Sequence, residues 1–281
     1  MAMITAVQEA HIERNAYLPE HIPEFVTAIS RTEAFLFGDF LTYTKKGQLI
    51  LVGYPLGSPF EERQLECVLE DAIKHFNPES VSLMAPSIPP SLEKWDHLPS
   101  DHYYRLDLSS CIISQKVRNM LKRADRELSV AEHTSFTQEH RELVESFLKT
   151  RSVDEATRFI FLRIDQYLAS SRTVSIFDAR THEGRLAAFT IAEFKPRDYA
   201  MYMFQFSSAA RFVPGASDML LFRVIQQAKT AGKKYLNLGL GINPGVAFFK
   251  KKWGGVAFLP HALCLYRPRR KGLLEMILQW L

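Results

Sequence analysis

The sequence predicts a mixed α/β (α+β) fold in two unequal parts. The chain has 281 residues, which allows one large domain or two small ones. Hydrophobic residues make up 47% and charged residues 23%, the balance of an ordinary globular protein. Short β-prone runs alternate with amphipathic segments, and a shorter version of the element order of the second part recurs in the first. This repetition suggests a duplicated unit.

The composition excludes several classes of protein. Three cysteines lie far apart without a CxxC pair, which argues against a disulfide scaffold or a cysteine-based zinc site and favours a reducing cytoplasm. No apolar run approaches the roughly 20 residues that span a bilayer. The first 14 residues do not resemble a signal peptide. Any membrane role is therefore expected to be peripheral.

The first part is predicted to contain a hairpin between helices. Apolar runs at 35–44 and 48–54 flank Lys45-Lys46-Gly47, a hairpin signal. A helix is predicted at 59–76, capped by Ser58 and with Pro59 at its first position. The remaining predicted elements are a helix at 22–30, strands at 81–84 and 103–108, and a proline-rich loop at 85–100 between those strands.

The second part is predicted to follow a joint at 109–113. Its helices are expected at 115–128, 138–150, 158–169 and 218–231, the last with Ser217 as N-cap and Gly232 as C-cap. Strands are expected at 173–179, 185–194, 199–206, 235–240 and 257–266. The helix at 218–231 has an apolar stripe, formed by Leu220, Leu221, Val224, Ile225 and Ala228.

Positive charge is concentrated in two places, although the net charge is only +4. Five cations lie between 115 and 126, and seven basic residues against one acidic residue lie between 241 and 281. Such segregation suits a phosphate-bearing partner, and its alternative is a solvated surface. The residues predicted to form a basic partner surface are Lys122, Arg123, Lys251 and Lys252.

The most specific sequence runs from Pro214 to Gly255 and ends in FKKKWGG. It combines a helix, a strand ending in Asn237-Leu238-Gly239, a glycine at Gly241 and the FKKKWG element at 249–254. This stretch resembles the C-terminal half of a GNAT-type acyltransferase domain. It is most similar to the tandem-GNAT group that contains the FemABX aminoacyltransferases and the soluble domain of phosphatidylglycerol lysyltransferases. The basic helix at 117–124 resembles the helix that opens the second unit of that group.

The resemblance implies two GNAT-like units, at 1–110 and 111–281, each with a mixed, mostly antiparallel sheet flanked by helices. The second unit would hold the donor site. Lys250 matches the family lysine that holds the aminoacyl-tRNA end or polarises its ester, since an ammonium beside a carbonyl stabilises an oxyanion. The alternative is a solvated lysine turn. The predicted donor-binding residues are Arg211, Gly215, Ala216, Ser217, Asn237, Gly239, Gly241, Phe249 and Trp253.

The loop before the helix at 218–231 departs from the pattern that binds CoA. GNAT proteins that use acetyl-CoA carry [RQ]-x-x-G-x-[GA] there, and its backbone amides hold the pyrophosphate. Here the equivalent is Arg211 to Ala216, with Pro214 in place of the central glycine, which removes one N–H donor. Aminoacyl-tRNA is therefore favoured over acyl-CoA as co-substrate, with an amine or hydroxyl acceptor. An acyl-CoA-dependent N-acyltransferase is the alternative.

No permanently bound cofactor and no metal are expected, since the nine histidines show no metal-ligand spacing. The sequence does not single out a general base among Glu193, His182 and Asp178. A different class of function is also compatible with the sequence, namely a non-catalytic module that binds nucleic acid or an anionic surface.

The last residues, 267–281, combine basic and apolar side chains in a predicted amphipathic helix. The helix would make a peripheral contact with the inner face of the membrane, or it would dock onto the first unit or a second copy. The protein is expected in the cytoplasm.

Overall fold

A computed structural model describes residues 4–266, which form two compact units. Unit 1 comprises 4–103, 155–170 and 258–266, and unit 2 comprises 104–154 and 171–257. These units interleave along the chain, whereas the sequence predicted a single division at residue 110. The predicted helix at 267–281 lies outside the described residues. From residue 4 to residue 266, no helix is long and apolar enough to cross a membrane.

The helices are α1 (Ala6–Asn15), α2 (Pro23–Ser30), α3 (Glu62–Phe76), α4 (Gln115–Ala124), α5 (Gln138–Thr150), α6 (Glu155–Phe161), α7 (Ile164–Ser170), α8 (Ala216–Thr230) and α9 (Pro244–Lys252). The strands are β1 (Glu33–Phe37), β2 (Phe40–Lys45), β3 (Gln48–Val52), β4 (Ser80–Ala85), β5 (Asp96–His97), β6 (Asp101–Asp107), β7 (Leu128–His133), β8 (Val174–Thr181), β9 (Leu186–Glu193), β10 (Tyr199–Ser207), β11 (Tyr235–Leu240) and β12 (Val256–Tyr266). Short 3₁₀ turns lie at Pro19–His21 and Pro90–Leu92.

The sheet of unit 1 has the order β1-β2-β3-β4-β12. Strands β3 and β4 run parallel, the other neighbours are antiparallel, and β5 pairs with β12. The predicted hairpin is present between β2 and β3. Helix α3 covers the sheet with Leu65, Leu69 and Ala72, all buried.

The sheet of unit 2 has the order β6-β11-β10-β9-β8-β7. Strands β10 and β11 are parallel, while β7 to β10 form an antiparallel meander. Helix α8 packs on β8 and β9, and every residue of its predicted apolar stripe is buried. Full burial of a leucine, isoleucine or valine side chain contributes about 1.5–3 kcal/mol to the stability of the fold. Both sheets are mixed, mostly antiparallel and flanked by helices, so the predicted fold class is confirmed.

Several element boundaries differ from the sequence prediction. The run 35–44 is two strands, because Gly38 takes a positive φ of 56° and turns the chain. Helix α3 begins at Glu62, so neither Ser58 nor Pro59 starts it. Helix α4 ends at Ala124, and a turn at 125–127 leads into β7. The helix predicted at 158–169 is two short helices, α6 and α7.

Candidate active site

The first four residues of the FKKKWG element, 249–252, lie on a helix that the sequence did not predict. Asn243 caps α9 by accepting a hydrogen bond from the Val246 amide at 3.0 Å, and Pro244 occupies the first helical position. Proline suits that position because its missing N–H would have no helical partner. The interpretation of 250–252 as a solvated turn is therefore wrong for the backbone, since these lysines form the last turn of α9.

The end of β11 leaves regular strand geometry before α9 begins. The Asn237 side chain is buried, and its Oδ1 accepts a hydrogen bond from the Gly239 amide at 2.7 Å. Gly239 has a φ of +75°. The Asn243 amide donates to the Gly241 carbonyl at 2.6 Å, which closes a three-residue turn around Ile242 with a φ of +59°. A β-branched residue at positive φ is strained, and such strain clusters at functional sites.

Lys250 points from α9 to this strand end. Only 6% of the residue is exposed, and its ammonium donates to the backbone carbonyl of Leu240. A Cβ at Gly239 would lie 3.7 Å from Nζ, and the Tyr104 ring centroid is 5.8 Å from it. The fold thus fixes a positive charge beside a glycine. A fixed charge shielded from water acts more strongly on a nearby oxygen than a solvated one does.

The other two lysines of the element lie in different environments. Lys251 is exposed on α9. Lys252 forms an ion pair with the buried Asp218 at 2.6 Å, so the structure ties it to α8 rather than leaving it on a free basic surface. Trp253 also donates to Asp218, from Nε1 at 2.8 Å. This contact, with Asp218 in the first turn of α8, holds the end of α9 against α8.

The remaining aromatic and glycine positions of the element have packing roles. Trp253 is buried in the core of unit 2, and Phe249 is half-buried against the same core. The amide of Gly255 donates to the Lys250 carbonyl at 3.0 Å, and a Cβ on Gly255 would lie 2.8 Å from that carbonyl oxygen. The space around Lys250 therefore depends on glycine at 255.

Replacing Asp218 with asparagine is expected to destabilise the protein by about 2 kcal/mol, because a hydrogen bond to a charged group contributes about 1.5–3 kcal/mol. The variant keeps the side-chain shape and leaves Lys252 without its partner charge. Urea unfolding measures the effect. Asp125→Asn, on an exposed residue after α4, is the control and should leave the midpoint unchanged. Equal midpoints for both variants would show that the Asp218 contacts are not structural.

The start of α8 is packed rather than open. Gly215 is the N-cap with a φ of +90°, and Ser217, predicted to be the cap, lies in the first turn of the helix. A Cβ on Gly215 would lie 3.0 Å from Cγ of Met120 and 3.1 Å from Cβ of Ala124, both on α4. Ala216 is buried. Helix α4 therefore lies directly against the loop that would hold a pyrophosphate.

The predicted anion contacts are only partly brought together. Gly215, Ala216 and Ser217 form the start of α8, but the guanidinium of Arg211 donates to the Leu186 carbonyl at 3.3 Å and lies 3.9 Å from a Glu139 carboxylate oxygen. On the outside of α4, Lys122 and Arg123 are exposed.

The three general-base candidates are occupied by structural contacts. Glu193 is buried and accepts from the amides of Phe194 and Lys195 at 2.9 and 3.0 Å. The His182 ring lies 2.7 Å from the Arg126 carbonyl. Burial acts to raise the pKa of Asp178, but hydrogen bonds from His140 and Arg180 and the nearby histidines hold it below its usual range.

Asp178 belongs to a cluster that sequence spacing did not reveal, since its members come from β7, α5 and β8. One atom each of His133, His140 and Asp178 lies within 4.8 Å of the others, the spacing of a metal site. Arg180 already donates to Asp178 at 2.8 Å, and the Thr137 amide donates to Nδ1 of His140 at 3.0 Å. These hydrogen bonds already occupy atoms of Asp178 and His140 that could bind a metal ion. The cluster links α5 to the sheet of unit 2.

Comparison with known proteins gives structural matches alone. No protein-family model and no curated protein sequence matches the chain. The C-terminal DUF2156 domain of a protein named as a lysylphosphatidylglycerol synthetase from Agrobacterium fabrum matches with a TM-score of 0.63 at 14% identity, over 96% of this chain and 93% of that one. FemX matches with a TM-score of 0.62 at 9% identity, over 93% and 96%. A tandem GNAT protein from the clavulanic acid biosynthesis pathway matches with a TM-score of 0.54 at 11% identity, over 83% and 79%.

These matches cover both units of the chain, and they agree with the resemblance that the Pro214–Gly255 stretch indicates. At such low sequence identities these matches establish the fold, and the reaction must be argued from the residues of the site. The chain has the tandem GNAT fold.

Proposed function

We propose that this protein is an acyltransferase that moves an aminoacyl or acyl group to an amine or hydroxyl acceptor. The observation that carries the proposal is the buried ammonium of Lys250, fixed at the strained end of β11 beside Gly239. The acceptor nitrogen or oxygen attacks the acyl carbonyl carbon, and the ester or thioester bond to the donor breaks. The acceptor proton leaves with the released hydroxyl or thiol. Lys250 stabilises the oxyanion between these events.

Aminoacyl-tRNA is the favoured donor. Pro214 lacks an amide donor, α4 packs on Gly215, and the first turn of α8 already carries the carboxylate of Asp218. Each of these weakens a pyrophosphate site at the start of α8, since such a site needs free amides and an uncompensated helix dipole. The resemblance of the FKKKWG element to the FemABX aminoacyltransferases supports an aminoacyl donor, and so, by analogy, does the lysyl group in the name of the lysylphosphatidylglycerol synthetase. No cofactor is proposed to stay bound between turnovers.

A thermal-shift titration with CoA, acetyl-CoA, a longer acyl-CoA and total aminoacyl-tRNA separates the donors. A ligand that binds only the folded state raises the melting temperature. We expect a saturating rise with aminoacyl-tRNA and faster release of its labelled amino acids to an added amine than without protein. A rise with a CoA compound that persists in added salt would favour the acyl-CoA alternative. No shift and no release with any donor would contradict acyl transfer.

A non-catalytic module that binds nucleic acid is the second candidate. It is favoured by the exposed cations of α4, among them Lys116, Lys122 and Arg123. Binding through such a surface weakens steeply as salt rises, because each phosphate contact releases a counterion. Salt-sensitive binding of uncharged tRNA without any transfer would support this candidate. The membrane contact predicted for 267–281 falls outside the described residues and stays a prediction.

A further inference from the structure

Unit 1 gathers four cations around the end of α2, far along the chain from the proposed catalytic lysine. Arg31 follows the last residue of α2, and Lys45 and Lys46 lie at the turn between β2 and β3. The ammonium of Lys45 donates to the carbonyl of Ser30 at 3.4 Å, which places it beside Arg31. Arg163 joins them from the junction of α6 and α7, and α7 packs on α2.

The guanidinium of Arg163 is held in one orientation with one edge unused. Its Cζ lies 3.3 Å from the Phe159 ring centroid, and its Nη1 donates to the Phe159 carbonyl at 3.2 Å. Its Nε is shielded from solvent and has no hydrogen-bond partner among residues 4–266. The edge formed by Nε and Nη2 is the one that grips an oxoanion with two parallel hydrogen bonds. A shielded donor without a partner is costly unless a ligand or water satisfies it.

The four charges repel one another. The pKa of Lys45 is lowered, first by partial burial and then by the charges of Arg31, Lys46 and Arg163. The pKa of Arg163 is lowered by partial burial and by Arg31, and Asp165 opposes this as the smallest of the three influences. Within the described part of the chain, none of the four cations forms an ion pair with a carboxylate. The lysines at 234 and 252, in contrast, form ion pairs with Asp198 and Asp218.

Two of the cations also occupy unfavourable backbone positions. Arg31 has a φ of +59° and Lys46 a φ of +42°, in the left-handed region where glycine or asparagine is usual. A long side chain at either position is unfavourable, because its Cβ is crowded by the backbone at positive φ. Both residues at positive φ are therefore members of the charge cluster.

We propose that Arg31, Lys45, Lys46 and Arg163 form a binding site for a phosphate group in unit 1. Its oxygens accept hydrogen bonds from the side chains of these cations, and its negative charge offsets their mutual repulsion. This site is independent of acyl transfer at Lys250. The phosphate comes from a soluble phosphate compound or from a lipid headgroup.

Titration calorimetry of the full chain with inorganic pyrophosphate tests the site, with potassium chloride added to equal ionic strength as the reference. We expect saturable binding by the wild type, weakened at least tenfold by Arg163→Gln and by Lys45→Gln. Lys74→Gln is the matched control, because Lys74 is an exposed lysine of unit 1 whose ammonium lies 3.4 Å from Glu70. Equal binding of pyrophosphate by wild type and Arg163→Gln would overturn the proposal, and absence of pyrophosphate binding would leave the lipid headgroup as the source of phosphate that vesicle flotation tests.

Vesicle flotation distinguishes the two sources of phosphate. Vesicles of phosphatidylcholine with phosphatidic acid present a phosphomonoester headgroup, and vesicles of phosphatidylcholine alone are the reference. Capture that depends on phosphatidic acid and disappears in Arg163→Gln supports a lipid headgroup. Pyrophosphate binding without such capture supports a soluble phosphate compound. Capture that is equal in Arg163→Gln and wild type, together with no pyrophosphate binding, would overturn the site.

Discussion

Replacing Lys250 with methionine is expected to lower the turnover of acyl transfer by about 10²–10³-fold, the usual effect of removing one oxyanion-stabilising group. Methionine has a similar length and suits a buried position, so the helix and the strand end keep their packing. Because the ammonium interacts more strongly with the oxyanion than with the ground-state carbonyl, kcat should fall more than the affinity for the donor.

Lys251→Met is the matched control for this experiment. It removes the same charge from the next residue of α9, but Lys251 is exposed. We expect its turnover to remain close to that of the wild type. The thermal shift caused by the donor shows that Lys250→Met is folded and still binds. Full turnover by folded Lys250→Met would remove Lys250 from the site, and an equal loss in both variants would indicate a general effect of charge on donor binding.

The stability of the protein is expected to peak near pH 6.5, because unit 1 buries a carboxyl group and two histidines. Glu20 is 1% exposed, so its carboxyl group is shielded from water. Burial raises the pKa of Glu20 to about 8, although its backbone and the Tyr103 hydroxyl oppose the shift. Burial lowers the pKa of His21 to about 3 and that of His261 to about 4.

The two kinds of shift act in opposite directions. The folded protein keeps the Glu20 proton that the unfolded chain releases near its usual pKa of 4.5, so stability falls as the pH rises from 4.5 to 8. Each histidine stays neutral when folded but takes up a proton near 6.5 when unfolded, so stability falls as the pH drops from 6.5 towards 4. Below pH 6.5 the effect of the two histidines on stability is larger than that of Glu20, so stability rises with pH. Above pH 6.5 only Glu20 changes the stability, which therefore falls.

Glu20→Gln isolates the alkaline side of this profile. Each pKa unit corresponds to about 1.4 kcal/mol, so the wild type should lose about 2 kcal/mol between pH 6.5 and 8. The variant keeps the side-chain shape without the ionisable group, and its free energy of unfolding should be flat over that range. Urea unfolding at several pH values measures it. Glu13→Gln, on an exposed residue of α1, should retain the wild-type decline. If the free energy of unfolding of Glu20→Gln still declines between pH 6.5 and 8, groups other than Glu20 cause the decline.

Local signals in the sequence were sufficient for much of the fold. The Lys45-Lys46-Gly47 turn marked a hairpin, and the apolar stripe of α8 marked the face that is buried. Helix α9 was missed because its FKKK run has no apolar stripe of its own, and because a proline such as Pro244 can either end a strand or begin a helix. A single proline is compatible with both interpretations.

The candidate site was predictable in its residues but not in its contacts. The position of Lys250 followed from the FKKKWG element, whereas its burial depends on how α9 folds back onto the end of β11. The pairing of Lys252 with Asp218 joins residues on two different helices. Periodicity and motif spacing describe neighbours along the chain, so contacts of this kind appear only in the structure.

The interleaving of the units has a consequence for synthesis on the ribosome. The strand of unit 1 that pairs with β4 on the side away from β3 is β12, and the Tyr54 hydroxyl donates to the Pro260 carbonyl across more than 200 residues of chain. A nascent chain of the first 110 residues therefore lacks a strand and both helices α6 and α7. Unit 2 is complete at residue 257, before β12 has emerged in full. The part of the protein that is translated first is then the last to reach its native state, and in the interval it exposes the edge of β4 to other nascent chains.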